Sequence, residues 1–405
     1  MAQPPHERIS ARMRRALAGP VILQQSFRPF FLLAGVWASL AMALWLGTLA
    51  GLAVLPDAVD ALGWHQHEML FGFAAAAIAG FILTAIPNWT GGLPVSGLPL
   101  AVLVGLWALG RIAMLMPDVL GPWLAAGLDL IFLFALAATI ARELVGGKNW
   151  RNLPVAGLIT LLAVGNLLVH LESLEIATTA GAGYRLAVFV LAMLIALIGG
   201  RVVPNFTRNW LKKKGATALP AAMDMVDRAA LGALALVAVA EVVAPRSPIT
   251  AAMAVATGLL HAWRLARWQG FKVLTEPLLW VLHLGYAWLV AGLLLVGLAG
   301  LGDVLGDVLP QSAALHALTT GAFGTMILAV ATRASLGHSG RPLTAGAGTT
   351  AAYILVTVAA GARLASPLAG DLALAALWLS GSAWILAFGL FTVLYFPLFT
   401  RPGGQ

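Results

Sequence analysis

Cysteine is absent from this chain of 405 residues. Its absence excludes disulfide bonds, thiolate-bound haem, covalently attached c-type haem and cysteine-ligated iron–sulfur clusters. Charged residues are scarce too: they make up 10% of the chain against 60% for hydrophobic residues, and the mean hydropathy is +0.92. A water-soluble domain of this length needs a more polar composition. The composition therefore predicts an integral membrane protein in which histidine, methionine, carboxylate or tyrosine holds any metal.

The apolar residues fall into twelve stretches, and a helix needs about 20 such residues to cross the hydrocarbon core of a bilayer. We therefore predict an all-α polytopic membrane protein with about twelve transmembrane helices, in one membrane domain over residues 29–400 that follows a tail over residues 1–28. The predicted spans are 31–54, 65–88, 98–116, 120–141, 153–173, 183–205, 224–243, 249–268, 277–301, 310–335, 344–363 and 370–398.

The positive charges predict the orientation of these spans. With the N-terminus inside, 19 lysines and arginines fall in inner segments and 3, namely Arg185, Arg246 and Arg363, fall in outer segments. This is a strong positive-inside bias, so both termini are expected in the cytoplasm. The same bias explains the pI near 10.4, and we predict no nucleic-acid binding. Residues 1–28 lack the apolar core of a signal peptide.

Three helix ends suggest an internal repeat. The sequence Pro-Asn-Trp-Thr closes span 2 at 87–90, and Pro-Asn-Phe-Thr closes span 6 at 204–207, four spans later. Span 10 ends on the more distantly similar Thr-Arg-Ala-Ser at 332–335. Two interpretations stay open: three pseudo-repeats of four helices each, or tetrapeptides that resemble each other by chance.

Histidine is the residue that stands out in these apolar stretches. Ionisable side chains at bilayer depth are costly and mark functional sites, and imidazole is the commonest protein ligand of haem iron and copper. We therefore predict a metal-binding membrane protein. The histidines in or beside the spans are His65, His67, His170, His261, His283, His316 and His338.

The predicted topology sorts these histidines into two layers. The outer layer holds His65, His67, His170 and His316, and Glu68 beside them is the candidate catalytic residue, holding a histidine or relaying protons. His65 and His67 diverge by about 200° on a regular helix, so both can bind one metal only where the start of the helix is extended or frayed. The alternative is that one of them orients the other or binds a second metal. We favour the outer layer as the copper-containing or high-spin reactive site.

The inner layer holds the other three histidines. His261 and His283 lie at matching depths on consecutive antiparallel helices, where they could ligate one haem iron axially or form part of a copper site. His338 lies just past the inner end of span 10. Haem propionates need cationic partners, and the candidates near this layer are Arg201, Arg264, Arg267 and Arg333. Asp129, an acid within span 4, has Arg111 as its candidate partner.

Several long motifs resemble the NnrS family. They are Phe-Arg-Pro-Phe-Phe at 27–31, Trp-His-Gln-His-Glu-Met-Leu-Phe-Gly-Phe at 64–73, the stretch from 80 to 91, Gly-Gly-Arg-Val-Val-Pro-Asn-Phe-Thr at 199–207, and the stretch from His316 to His338. The resemblance spans nearly all of the chain beyond its first twenty or so residues. It implies a bacterial inner-membrane protein of twelve spans that is associated with haem, copper and the response to nitric oxide, but it assigns no individual ligand.

Three functions remain open at this stage. The leading hypothesis is an oxidoreductase containing haem b and copper that binds nitric oxide and reduces it to nitrous oxide with electrons from membrane quinol. The second is a non-enzymatic haem or copper protein that scavenges nitric oxide, senses it or carries metal. The third is a proton-coupled transporter whose histidines and acids line a water path. Similarity to haem–copper oxidases is partial, because span 10 has one histidine within the membrane and spans 6 and 7 have none.

Overall fold

The computed structural model describes residues 19–52, 55–56, 60–302 and 309–402, and the structural statements below concern these residues. Most of the predicted tail lies outside them, and so do the loop acids Asp57, Asp303 and Asp307. The described residues contain no β-strand, in agreement with the predicted all-α class.

Twelve long helices follow one another along the described chain, and their bounds agree with the predicted spans to within a few residues at most ends. They are α1 (Phe27–Leu49), α2 (Ala61–Thr90), α3 (Leu98–Leu115), α4 (Pro122–Gly146), α5 (Trp150–Ser173), α6 (Ala182–Lys213), α7 (Met225–Val243), α8 (Pro248–Ala266), α9 (Pro277–Gly300), α10 (Gln311–His338), α11 (Ala347–Leu368) and α12 (Gly370–Thr400).

Eleven of these helices are long and apolar enough to cross a membrane. The exception is α7, which has 19 residues but carries Asp227, Arg228 and Glu241. Length alone would allow α7 to span the bilayer, because 19 residues of α-helix rise about 29 Å. The structure therefore confirms a multi-pass helical membrane protein.

Side chains at the N-caps define where several helices begin. Asp60 precedes α2 and accepts a hydrogen bond from the backbone N–H three residues later at 2.6 Å. Asp224 precedes α7 and forms a capping box with Asp227. Ser247 precedes α8, and a proline occupies the first position of that helix. These residues satisfy backbone donors that a helix start leaves without partners.

Three helices contain a π-helical segment, and they are the helices that contain the related tetrapeptides. The segments are Glu68–Ala74 in α2, Ile195–Gly199 in α6 and Ala317–Gly324 in α10. In α2 and α10 the segment directly follows a histidine, whereas in α6 it lies farther along the helix. The threefold repeat accordingly stays a prediction. Single π turns within α-helices are frequent at functional sites.

The described residues form two compact units, each with its own core. Unit 1 is built from Met1–Ala163, Arg333–Pro342 and Thr392–Gln405, and unit 2 from Val164–Thr332 and Leu343–Phe391, within the described part of each range. Unit 1 therefore contains α1 to α4, and unit 2 contains α6 to α9 and α11. The single membrane domain predicted over 29–400 stays a prediction.

The Phe-Arg-Pro-Phe-Phe motif is part of α1 and ties the two ends of unit 1 together. Arg28 donates hydrogen bonds to the carbonyl oxygens of Leu398 at 2.7 Å and Arg401 at 2.9 Å. A guanidinium at the carboxyl end of a helix satisfies carbonyls that lack helical partners. The Phe27 ring lies 6.3 Å from the Phe399 ring. The motif therefore holds the start of α1 against the end of α12.

Glycines allow the helices of unit 2 to cross closely. A Cβ atom added at Gly297 of α9 would lie 2.6 Å from the Val255 side chain of α8. One added at Gly321 of α10 would lie 2.7 Å from the Trp288 indole of α9. Small residues at such crossings let helices pack without a hydrophobic driving force in lipid.

Candidate functional site

The start of α2 separates the two histidines of the His-Gln-His sequence. The His65 ring stacks on the Trp45 ring at a centroid distance of 4.7 Å. His67 points into unit 1 and is 1% exposed, while Glu68 next to it is fully buried. This divergence is what a helix demands of residues two positions apart. The π segment begins at Glu68, so the helix changes its winding where the buried pair enters the core.

His67, Glu68, Arg111 and Asp129 form one buried ionic group, which we call the His67 cluster. His67 Nδ1 lies 3.0 Å from Glu68 Oε1, and its Nε2 lies 3.1 Å from Asp129 Oδ2. Arg111 of α3 pairs with Glu68 at 2.5 Å and also with Asp129 of α4. The predicted Asp129–Arg111 pair is confirmed. The guanidinium joins two carboxylates that are 61 positions apart in the sequence.

The surroundings of the His67 cluster hold Glu68 in one position. The Trp37 indole N–H donates to Glu68 Oε2 at 2.7 Å. A Cβ atom added at Gly72 would lie 2.7 Å from Trp37 Nε1, 2.8 Å from an Arg111 nitrogen and 2.9 Å from Glu68 Oε2. Glycine at this position of the π segment therefore leaves the space that the cluster occupies. This role of Trp37 could not be predicted, because most tryptophans of membrane proteins lie at interfaces or in packing.

The charge and spacing of the His67 cluster suit a cation. Two carboxylates face one guanidinium, so the group carries a formal charge of −1 when His67 is neutral. Burying a net charge is costly, and either a proton on His67 or a bound cation balances it. Two ligands of one ion with bond lengths of about 2.0–2.1 Å lie about 2.9–3.4 Å apart. The 3.1 Å between His67 Nε2 and Asp129 Oδ2 falls in this range.

A second buried group, which we call the Tyr286 cluster, lies in unit 2. It consists of Asp227 of α7, His261 and Arg264 of α8, and Tyr286 of α9. Arg264 donates to Asp227 at 2.6 Å and to the Tyr286 hydroxyl at 2.8 Å. His261 Nε2 lies 3.0 Å from the Ala230 carbonyl oxygen, and its Nδ1 lies 2.8 Å from the Tyr286 hydroxyl.

The hydrogen bonds of the Tyr286 cluster have fixed directions. A carbonyl oxygen can only accept, so Nε2 of His261 carries its proton, and Nδ1 of the neutral ring accepts from the Tyr286 hydroxyl. Arg264 in turn donates to the phenolic oxygen. Both ring nitrogens of His261 are therefore used within the protein. One Asp and one Arg leave the cluster without net charge.

This arrangement does not fit the predicted haem between His261 and His283. A metal ligand needs a free nitrogen lone pair, which His261 lacks. The centroid of the Tyr286 ring lies 5.9 Å from His261 and 4.5 Å from Trp268, and Trp268 lies 6.4 Å from His283. Two aromatic rings thus connect the two histidines. His283 Nε2 is 2.9 Å from the Thr207 hydroxyl. Matching depth along two helices did not bring these imidazoles to one pocket.

The predicted propionate partners are placed differently from one another. Arg264 is 1% exposed and serves Asp227 and Tyr286, so its side chain is committed to the Tyr286 cluster. Arg267 pairs with Asp224 at the end of α8. Arg201 lies on α6 in unit 2 and Arg333 on α10 in unit 1. A propionate role for Arg201 and Arg333 stays a prediction.

The three remaining histidines lie on two helices, His170 on α5 and both His316 and His338 on α10. His170 is buried on α5 and belongs to unit 2. His338 is the last residue of α10, and its ring lies 5.9 Å from the Phe27 ring in unit 1. His316 lies one turn into α10, where its Nδ1 is 2.6 Å from the Ser312 carbonyl oxygen. Metal ligation by His65, His170 and His338 stays a prediction.

Sequence reasoning missed Asp227 and Tyr286. The available signal was the same one that singled out the histidines, an ionisable residue in an apolar stretch. Asp227 lies in the predicted span 224–243 and Tyr286 in the predicted span 277–301.

A protein-family model described as NnrS protein matches residues 21–402 of the chain. No curated protein matches the chain. The matched range includes all twelve helices and both buried clusters.

Proposed function

Because the chain belongs to the NnrS family, which indicates a nitric-oxide-response membrane protein, we propose that it binds nitric oxide at a metal held by His67 and Asp129. We propose further that it reduces nitric oxide to nitrous oxide with electrons from membrane quinol. The alternative is a non-enzymatic haem or copper protein that scavenges or senses nitric oxide or carries metal.

The His67 cluster is the observation that carries this proposal. Its imidazole nitrogen and carboxylate oxygens form a mixed donor set, which suits copper(II) or a non-haem iron. The two nearest donor atoms already have the separation of ligands on one ion. A cation would also balance the net charge of the two carboxylates and Arg111. The cluster is buried among α2, α3 and α4, each of which is long and apolar enough to span the membrane.

Glu68 has a supporting role in this proposal. It accepts from His67 Nδ1, which places the proton on that nitrogen and leaves Nε2 to face Asp129. Carboxylates that orient a histidine in this way raise its strength as a ligand. Three groups, His67, Arg111 and Trp37, contact the Glu68 carboxylate and hold it in place. We therefore assign it to orienting His67, which is the first of the two roles that the sequence suggested, holding a histidine or relaying protons.

The chemistry proposed for the bound metal is to bind nitric oxide and deliver electrons to it. Two nitric oxide molecules, two electrons and two protons give one nitrous oxide and one water. A bound quinol supplies both electrons and both protons on oxidation to quinone. Haem b and copper are the proposed cofactors. Arg111 and Asp129 carry opposite charges, which would partly offset a change in the charge of the bound metal.

The experiment compares His67→Ala with His65→Ala in protein purified from membranes. We expect His67→Ala to lose bound copper or iron by elemental analysis and to lose the spectral change on anaerobic nitric oxide addition. His65→Ala is the matched control, because it lies on the same helix and stacks on Trp45 instead of facing the carboxylates. Equal metal content in wild type and His67→Ala would overturn the site. His170→Ala separately tests the ligand predicted at that position.

Turnover then separates the two functions. With quinol and nitric oxide under anaerobic conditions, sustained nitrous oxide formation supports the reductase. Binding in a fixed ratio to metal, without nitrous oxide, supports the scavenger, sensor or carrier. A protein that retains no metal and shows no nitric oxide response would leave the proton-coupled transporter.

A further inference from the structure

The ring of His316 is oriented differently from the rings in the two clusters. Its Nδ1 lies 2.6 Å from the carbonyl oxygen of Ser312, four residues earlier in α10. Because a carbonyl can only accept, Nδ1 carries the proton, and Nε2 of the neutral ring holds a free lone pair. No residue in the described part of the chain is hydrogen-bonded to that Nε2. Histidines that bind metals commonly donate their other nitrogen to a backbone carbonyl.

The residues around His316 indicate whether its ring is suited to a single metal ion or to a porphyrin. A single ion needs more than one protein donor, whereas haem brings four nitrogens of its own and needs one or two axial ligands. Among the described residues, His316 belongs to no group of three His, Asp or Glu side chains with donor atoms close enough for one ion. One imidazole with a free nitrogen is therefore suited to haem.

Two further groups of unit 2, Arg363 and the Trp288 indole, are suited to bind a large anionic ligand near His316. Arg363 of α11 lies close enough to act electrostatically on His316, is half-buried, and makes no hydrogen bond or ion pair within the described residues. The Trp288 indole packs on Gly321 in the π segment of α10. Gly321 follows His316 by five positions, which is the spacing of hydrogen-bonded residues in a π-helix. Its Nε1 is buried and has no partner among the described residues. These groups could serve haem propionates.

From these observations we infer that His316 is an axial ligand of haem in unit 2, with Arg363 as a propionate partner. The inference rests on the proposed function only in that haem is among the proposed cofactors. It places the haem at His316, whose Nε2 has no partner among the described residues, and away from the pair of His261 and His283. With one histidine ligand, the opposite axial position is open to a diatomic ligand.

The first test replaces His316 by Gly. We expect loss of haem, measured as the pyridine haemochrome, and its recovery on addition of imidazole, which occupies the space of the lost ring. The matched control is Ser312→Ala, which keeps the backbone carbonyl. It should keep the wild-type haem content and spectrum. A wild-type spectrum in His316→Gly would overturn the inference.

A second variant covers failure of His316→Gly to fold. Because the chain has no cysteine, His316→Cys introduces one thiolate, and the carbon monoxide spectrum of the reduced protein should become that of thiolate-ligated haem. An unchanged carbon monoxide spectrum would place the haem elsewhere. Purification of the wild type without haem would also overturn the inference, while metal content and nitric oxide binding in the His67 variants still decide the proposed function independently.

Discussion

The His67 cluster of unit 1 and the Tyr286 cluster of unit 2 are built from similar parts but differ in balance. Each buries an aspartate–arginine ion pair beside a histidine. The His67 cluster adds a second carboxylate, whereas the Tyr286 cluster adds a phenol. The first therefore has an excess negative charge, with a carboxylate facing each nitrogen of His67. The second has no net charge, and a carbonyl and a hydroxyl face the nitrogens of His261. A buried histidine alone does not indicate a metal site; the groups facing its two nitrogens do.

The sharpest way to test this difference is to remove each aspartate. Asp227→Ala leaves Arg264 buried without a counter-charge, and breaking such a pair costs about 3–5 kcal/mol. Asp129→Ala should cost clearly less, because Arg111 keeps Glu68 as a partner. Apparent unfolding free energies in detergent, measured by denaturant titration, provide the comparison. Equal losses in the two variants would show that the second carboxylate does not support Arg111.

The next prediction concerns metal binding by each cluster. Glu68→Gln removes the carboxylate that orients His67, and loss of such a partner typically lowers metal affinity about 10–100-fold. Tyr286→Phe removes one hydrogen bond to His261 and should leave metal affinity at the His67 cluster unchanged. Chelator competition on purified protein measures both. A decrease of the same size in Tyr286→Phe would contradict the assignment of the metal to the His67 cluster.

A third prediction tests the close packing around Arg264. A Cβ atom at Gly200 of α6 would overlap the Arg264 guanidinium, so Gly200→Ala should destabilise the protein by about 1–3 kcal/mol, as overpacking does. Gly105→Ala is the control, because nothing lies within 4 Å of its added Cβ. That change should be neutral or slightly stabilising. Thermal unfolding of the two variants gives the comparison, and indistinguishable midpoints would mean that Arg264 moves freely.

The smallest effect is expected outside the membrane-spanning segments, where Asp224 meets Arg267. The Arg267 hydrogen bond lowers the pKa of Asp224 to about 2. A carboxylate with a lowered folded-state pKa stabilises the protein above its unfolded pKa of about 3.9, and this contribution disappears as the pH falls toward 2. The pair is exposed, so the gain is small. Between pH 4 and pH 2, the thermal midpoint of Asp224→Asn should fall slightly less steeply than that of the wild type. An equally steep fall in the variant would show that this ion pair does not contribute to the pH dependence.

Much of the helical architecture could be predicted from the sequence. Spans such as 98–116 and 277–301 were recognisable because a helix must satisfy its own backbone in lipid and needs a fixed length to cross it. The partner of Asp129 was also predictable, since a buried acid needs a cation and Arg111 lies one helix away. The π segments were not predictable, because hydrophobic length does not depend on how a helix is wound.

The chain by itself determined that this is a polytopic helical membrane protein with ionisable groups at bilayer depth. Which of those groups meet was decided only by the tertiary structure. His261 and His283 have matching depths, yet rotation about each helix axis pointed them at Tyr286 and Thr207. Glu68 and Asp129 came to share Arg111 because three helices converge there. Depth follows from position in the sequence, but the direction of a side chain depends on how each helix is rotated against its neighbours.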